Sequence, residues 1–312
     1  MGSLARSGVG AMWDDIRFSG RSGAKLAARR YRGPKGRRPL VCLAGMVGNS
    51  ADFHNLAEAL SSGSPEGRSV YCIDCRGRGA SQAVKLDGPP DILTDAEDVL
   101  DLMTLAGLAD AAVIGTGHGG QLAMIVALLR PKSTGVLILN DAAPEFEVDG
   151  VVRMMTEIAS MPVPATWQEA AGLLKSLYER RYPRLTAEQW GGLARARYMD
   201  VAGRPARAFD KALAEALSLS RGGIHERSFW PQFAALSHVP TLLMRGALSD
   251  MISQKTVEEM RAVHPLLEVE RVAAQGHPVL LNDEASFAIA SRFLVRHDAG
   301  AADTGEALKA VA

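Results

Sequence analysis

The 312-residue chain balances 35 Lys and Arg against 35 Asp and Glu, with 47% apolar and 22% charged residues. That is enough chain for one large α/β domain or two ordinary ones. It excludes an overall field that would gather nucleic acid or an anionic membrane. No apolar run approaches the roughly eighteen residues that span a bilayer, and the first residues lack the apolar core of a secretory signal. Three cysteines suit a reducing cytoplasm better than a disulfide framework, so a cytoplasmic protein is expected.

Taken in order, the chain begins with an uneven charge. Nine Lys or Arg fall from Arg17 to Arg38, with no acid between Asp15 and Asp52. Trp13, Ile16, Phe18, Leu26 and Tyr31 interleave with them, which predicts a solvated β-hairpin with strands near 14–18 and 24–31. Strand and helix then alternate. Strands are predicted at 39–43, 69–74, 111–114 and 135–139, with helices at 51–60, 95–105 and 121–130. Thr94 and Glu97 are placed as a capping box for the second helix. Cys72-Ile73-Asp74-Cys75 has C-x-x-C spacing, but residues three apart on a strand point to opposite faces. The pair therefore shares no metal and closes no disulfide, and no other metal site is expected.

From about 145 to 237 the pattern turns to helix after helix, with no strand candidate. Helices are predicted at 151–159, 166–182, 186–198 and 206–219, and Thr186 with Gln189 forms a second capping box. Trp167, Trp190 and Trp230 lie here as candidate pocket walls, with the plainer reading that they are the segment's own core. Alternation resumes with strands 241–244 and 267–272 and helices 254–263 and 284–296. Residues 299–312 read as a frayed end. The alternation predicts an α/β fold, a mostly parallel sheet with helices on both faces.

One stretch admits two chemistries. Gly115-Thr116-Gly117-His118-Gly119-Gly120 fits G-x-S-x-G, the strand-to-helix turn that presents a nucleophile, with glycine in place of the serine. It also fits the G-x-G-x-x-G dinucleotide loop, and Asn140-Asp141 lies about 20 residues on, where a ribose-binding acid would sit. That second reading puts the fingerprint after four earlier strands instead of in the first unit. It also leaves the loops at Asp250 and His277 unexplained.

With the turn at Gly117, the D-x-R-G-x-G-x-S loop Asp74–Ser81, the Arg245–Asp250 loop and Gln275-Gly276-His277-Pro278, the chain resembles the α/β-hydrolase fold. The resemblance runs from about residue 13 to 296. It implies an eight-stranded, mostly parallel sheet with a helical cap inserted after the sixth strand. The core would comprise 1–145 and 236–312 and the cap 146–235. It further implies that Gly117 holds the nucleophile position, that Asp250 and His277 are the triad acid and base, and that the backbone N–H groups of Met46 and His118 form the oxyanion hole. Asp141 is then a loop residue at the cap entrance or a spare triad acid.

Without an Oγ at 117, three outcomes stay open: general-base chemistry by His277, ligand binding without catalysis, or an ester or lactone hydrolase whose serine was replaced. A small molecule is the expected partner in each, with no cofactor; an NAD(P)-dependent oxidoreductase is the remaining alternative.

Overall fold

A computed structural model describes residues 3–5, 12–20, 23–62, 67–82, 91–219 and 228–298. The basic N-terminal stretch pairs as antiparallel strands β1 (Ser3–Ala5), β2 (Asp14–Ser19) and β3 (Lys25–Tyr31). In β2, buried Ile16 and Phe18 alternate with exposed Arg17 and Ser19, the period-two pattern of a sheet with one wet face. Next come β4 (Leu40–Leu43), α1 (His54–Ser61), β5 (Val70–Asp74), α2 (Ile92–Leu105), β6 (Ala111–Thr116), α3 (His118–Leu129) and β7 (Thr134–Asn140). Strands β4 to β7 are nearly continuous apolar runs because helices cover both of their faces.

An insertion follows: α4 (Val148–Ser160), α5 (Trp167–Tyr178), α6 (Ala187–Arg197), β8 (Tyr198–Val201), β9 (Arg204–Arg207) and α7 (Lys211–Leu219). Then α8 (Trp230–Ala235), β10 (Thr241–Gly246), α9 (Gln254–Val263), β11 (Leu267–Val272) and α10 (Glu284–Arg296) complete the fold. The main sheet has the order β1-β2-β3-β5-β4-β6-β7-β10-β11, parallel from β5 onward. It has nine strands where eight were expected, because Ser3–Ala5 adds an edge strand. The whole insertion leaves between β7 and β10, which are neighbours in the sheet.

Two local expectations are corrected. The insertion is not purely helical: β8 and β9 form an antiparallel hairpin that ends α6 at Arg197 and delays α7 to Lys211. The tight Ala202-Gly203 turn, both residues at positive φ, drives this reversal. Helix α2 is capped by Asp91, not by Thr94 and Glu97, since the Asp91 carboxylate accepts from the N–H of both Leu93 and Thr94. The Thr186–Gln189 capping box forms as expected on α6. Cys72 and Cys75 pack into cores on opposite sides of the sheet, and all three cysteines are free and buried. The segment 299–312, expected to fray, lies outside the described residues.

Arg68, just before β5, and Asp298, just after α10, form a two-bond ion pair, each bond 2.9 Å. The Arg68 side chain is wholly buried, 0% exposed, so removing its partner strands a charge in the interior. Asp298→Ala is expected to cost about 3–5 kcal/mol, the usual loss for half of a buried pair. Urea unfolding measures it, and a loss within 1 kcal/mol, the scale of a surface pair, would contradict that account.

Candidate active site

The site forms where loops at the C-terminal ends of the parallel strands converge under the insertion. β6 ends in a turn at Gly117 with φ 51° and ψ −117°, and α3 begins at the next residue. Glycine takes this conformation freely, whereas a side chain there would be strained. Its N–H donates to the Asn140 carbonyl at 3.0 Å and its carbonyl accepts from the Gly120 N–H at 2.9 Å, so the turn is rigidly set. The following glycines serve close packing. A Cβ on Gly119 would stand 2.3 Å from the Leu43 carbonyl oxygen, and one on Gly120 would stand 2.3 Å from the Ala142 Cβ.

His277, on the loop after β11, faces this turn. A Cβ at position 117 would lie 3.0 Å from its Cε1 and 3.2 Å from its Nε2. The other ring nitrogen, Nδ1, is 2.8 Å from Asp141 Oδ2. Asp141 is fully buried at the end of β7 and held at φ 47°. Its Oδ1 accepts from the Gly246 N–H at 2.9 Å, and its Oδ2 also accepts from the Ser249 hydroxyl at 2.6 Å. Two groups, the Gly246 N–H and the Ser249 hydroxyl, therefore orient the carboxylate that orients the imidazole. Asn140 ties the same region together, its Nδ2 donating to Thr116 Oγ1 and to the Val279 carbonyl.

The expected partner of His277 was Asp250, and this is corrected. Asp250 turns toward the insertion, where Arg153 of α4 grips it through Nε and through a second bond of 2.7 Å. Its backbone packs against α4 so tightly that a Cβ on Gly150 would fall 2.6 Å from the Asp250 carbonyl oxygen. Burial pushes the Asp250 carboxyl up, but the Arg153 hydrogen bond and charge outweigh it and hold it below the usual carboxylate range. Asp250 is a clamp between core and insertion, and Asp141 takes the place beside the histidine. Asp141 is thereby spent on Gly246, Ser249 and His277 and is not open to a ribose, which removes the support for a dinucleotide at the glycine turn.

A cavity of about 100 Å³ lies between the two layers. Its core-side wall is Gly45, Met46, Thr116 and His277; its insertion-side wall carries Met154, Ile158, Met161 and Leu193 with Arg153, Arg181 and Arg197. Met46 lines the cavity, and Arg78 fixes its peptide, donating from Nε to the Met46 carbonyl at 2.7 Å while pairing with Asp95. His118 begins α3, half-buried, and does not line the cavity.

The three tryptophans do not line it either. Trp190 is buried in the insertion's core, and Trp167 lies beneath the Arg195 guanidinium at 3.8 Å. Trp230, on α8, donates to Glu145 from Nε1. Large rings in a thin helical layer are consumed in holding that layer together. Tyr182 links insertion to site, its hydroxyl donating to the Pro278 carbonyl at 2.8 Å.

Residues 40–290 match the alpha/beta hydrolase family. The chain belongs to the alpha/beta hydrolase family. Its crystal-structure neighbours include an alpha/beta hydrolase from Novosphingobium aromaticivorans, 30% identical, with TM-score 0.83, covering 93% of this chain and all of that one. Curated relatives include the 3-hydroxybutyrate-oligomer hydrolase of Cupriavidus necator, 28% identical over 86% of this chain and 92% of its own. The sn-1-specific diacylglycerol lipase of Xenopus laevis is 24% identical over 77% of this chain and 73% of its own.

Within this alpha/beta hydrolase, sequence reasoning missed the charged wall of the cavity. Arg153 and Glu157 stand four apart on α4 and pair at 3.0 Å, a spacing that marks one helix face. That signal was in the sequence. Nothing local, however, connects Asp52 to Arg197, 145 positions apart and 2.8 Å away.

Proposed function

We propose that this protein works on a small organic molecule, most simply an ester, by general-base chemistry in which His277 acts directly instead of through a serine. The observation that carries the reading is the position of the imidazole. Nε2 lies 3.2 Å from where a Cβ at Gly117 would stand, and Nδ1 is anchored on buried Asp141. A base so oriented, with the space before it left open by glycine, can take a proton from water or from an acidic carbon.

For an ester, the water oxygen adds to the carbonyl carbon as Nε2 takes its proton. The N–H groups of Met46 and His118 would stabilise the oxyanion, and the imidazolium then returns the proton to the departing alkoxide. Asp141 keeps the imidazole in the tautomer with Nδ1 protonated. The name of the Cupriavidus relative, a 3-hydroxybutyrate-oligomer hydrolase, supports an ester over other substrates. Residues 146–235 would act as the cap over a core of 1–145 and 236–312. The three free, buried thiols suit a cytoplasmic setting.

The test is turnover of a panel of short carboxylic esters by wild type and His277→Ala in ¹⁸O-labelled water. The expected result is hydrolysis with no burst and no covalent intermediate, lost by about a hundredfold or more in the variant. Hydrolysis that survives His277→Ala, or no turnover of any ester, would overturn the reading. A fluorophosphonate that labels wild type would instead reveal another nucleophile.

A further inference from the structure

The three arginines of the insertion-side wall are balanced by Asp52, Glu157 and Asp250, but two of them have N–H donors beyond those their partners take. Arg153, Arg181 and Arg197 all line the cavity, against the carboxylates of Asp52 and Glu157. Arg153 is committed: its fork is taken by Asp250 and Glu157. The other two hold their partners by one nitrogen each. Arg197 places Nη1 between both oxygens of Asp52 at 2.8 Å, and Arg181 gives Nη2 to Glu157 at 2.8 Å with its plane over Tyr178. A guanidinium has five N–H donors in a planar fork that matches a carboxylate. Both side chains are largely removed from solvent, at 15% and 17% exposure, where a charge-assisted bond is strong.

We propose that Arg181 and Arg197 form an anion subsite, so that the molecule taken by this cavity is a short carboxylate whose reacting group points at His277. The proposal names the substrate class for the base-catalysed reading above and rests on it for the reaction, though not for the binding. Placement fits. The Arg181 stem packs against the histidine's own loop, since a Cβ on Gly276 would stand 2.8 Å from the Arg181 Cβ. Met154, Ile158, Met161 and Leu193 give the same cavity an apolar lining for the rest of the molecule. A volume near 100 Å³ accommodates a short acid, and Asp52, Leu193 and Arg197 also border a wider cleft of about 750 Å³. Burial pushes the Asp52 carboxyl upward, against the opposing pull of Arg197.

The test is calorimetric titration of the folded protein with butyrate and with butan-1-ol, its neutral counterpart of similar size. Butyrate should bind at least about tenfold more tightly than the alcohol. Arg181→Gln should remove about tenfold of that affinity, and Asp52→Asn, which deletes a competing carboxylate, should raise it. Arg261→Gln, on the outer face of α9, should change nothing. Thermal melts establish that each variant is folded. Because the two cavity variants move binding in opposite directions, either one suffices if the other fails to fold. Equal binding of acid and alcohol, no saturable butyrate binding, or an unchanged affinity in a folded variant overturns the subsite. His277→Ala should still bind butyrate. Loss of turnover with binding intact thus keeps the anion subsite separate from the base chemistry, and either can fail alone.

Discussion

Gly117→Ser is expected to create a nucleophilic esterase. The turn already holds position 117 at φ 51° and ψ −117°, facing Nε2 of His277, so the substitution supplies an Oγ to a base already in place. Two costs oppose it. A side chain at positive φ adds about 1–3 kcal/mol of strain, which a domain of this size tolerates. The imidazole, 3.0 Å from the new Cβ at Cε1, must also withdraw by a few tenths of an ångström. Because loss of the serine from a working triad lowers kcat by up to about a millionfold, restoring it should raise hydrolysis of an activated acetate ester at least about a thousandfold. A fluorophosphonate should label the variant at position 117 and leave wild type unlabelled. A folded variant that neither labels nor turns over would show that the surrounding groups no longer form a competent site.

The second large effect separates the two acids. In the Gly117→Ser background, Asp141→Asn should lower kcat by roughly ten-thousandfold, since an amide there no longer holds the imidazole in the productive tautomer. Asp250→Asn in the same background should change kcat less than about fivefold, because it releases only a partly exposed clamp. The structural basis is the 2.8 Å contact between His277 Nδ1 and Asp141, against the Arg153 grip on Asp250. If Asp250→Asn proves the more damaging change, the histidine swings to the other carboxylate in the working enzyme.

Much of the fold is written locally. The apolar runs of β4 to β7 and β10, the tight turn at Gly117 and the capping box at Thr186 are each set by neighbours a few residues away. The hairpin at 198–207 was not legible, since its two strands are four residues each and begin inside a run of helix-forming residues. The choice between Asp141 and Asp250 is not a local matter at all. Both follow strands that lie side by side, β7 and β10, so both carboxylates start near the same point. What decides is the turn of the later loop, where the Gly246 N–H and Ser249 hydroxyl are both directed at Asp141. Part of the charged cavity wall was hidden for the same reason, since Arg197 meets Asp52 and Arg153 meets Asp250 between distant elements, whereas the i, i+4 pair Arg153–Glu157 was legible.

Tyr182 belongs to the insertion and Pro278 to the loop that carries His277, and a single 2.8 Å bond joins them. A molecule that displaced the insertion would therefore let go of the peptide beside the base. Asp141 would still hold the ring by Nδ1, so the loss would fall on the setting of the loop that carries it. A molecule too long for that bond to form would occupy the cavity and still go unreacted. Discrimination by length would then be exercised at the chemical step, as a lowered kcat for oversized substrates that nevertheless bind.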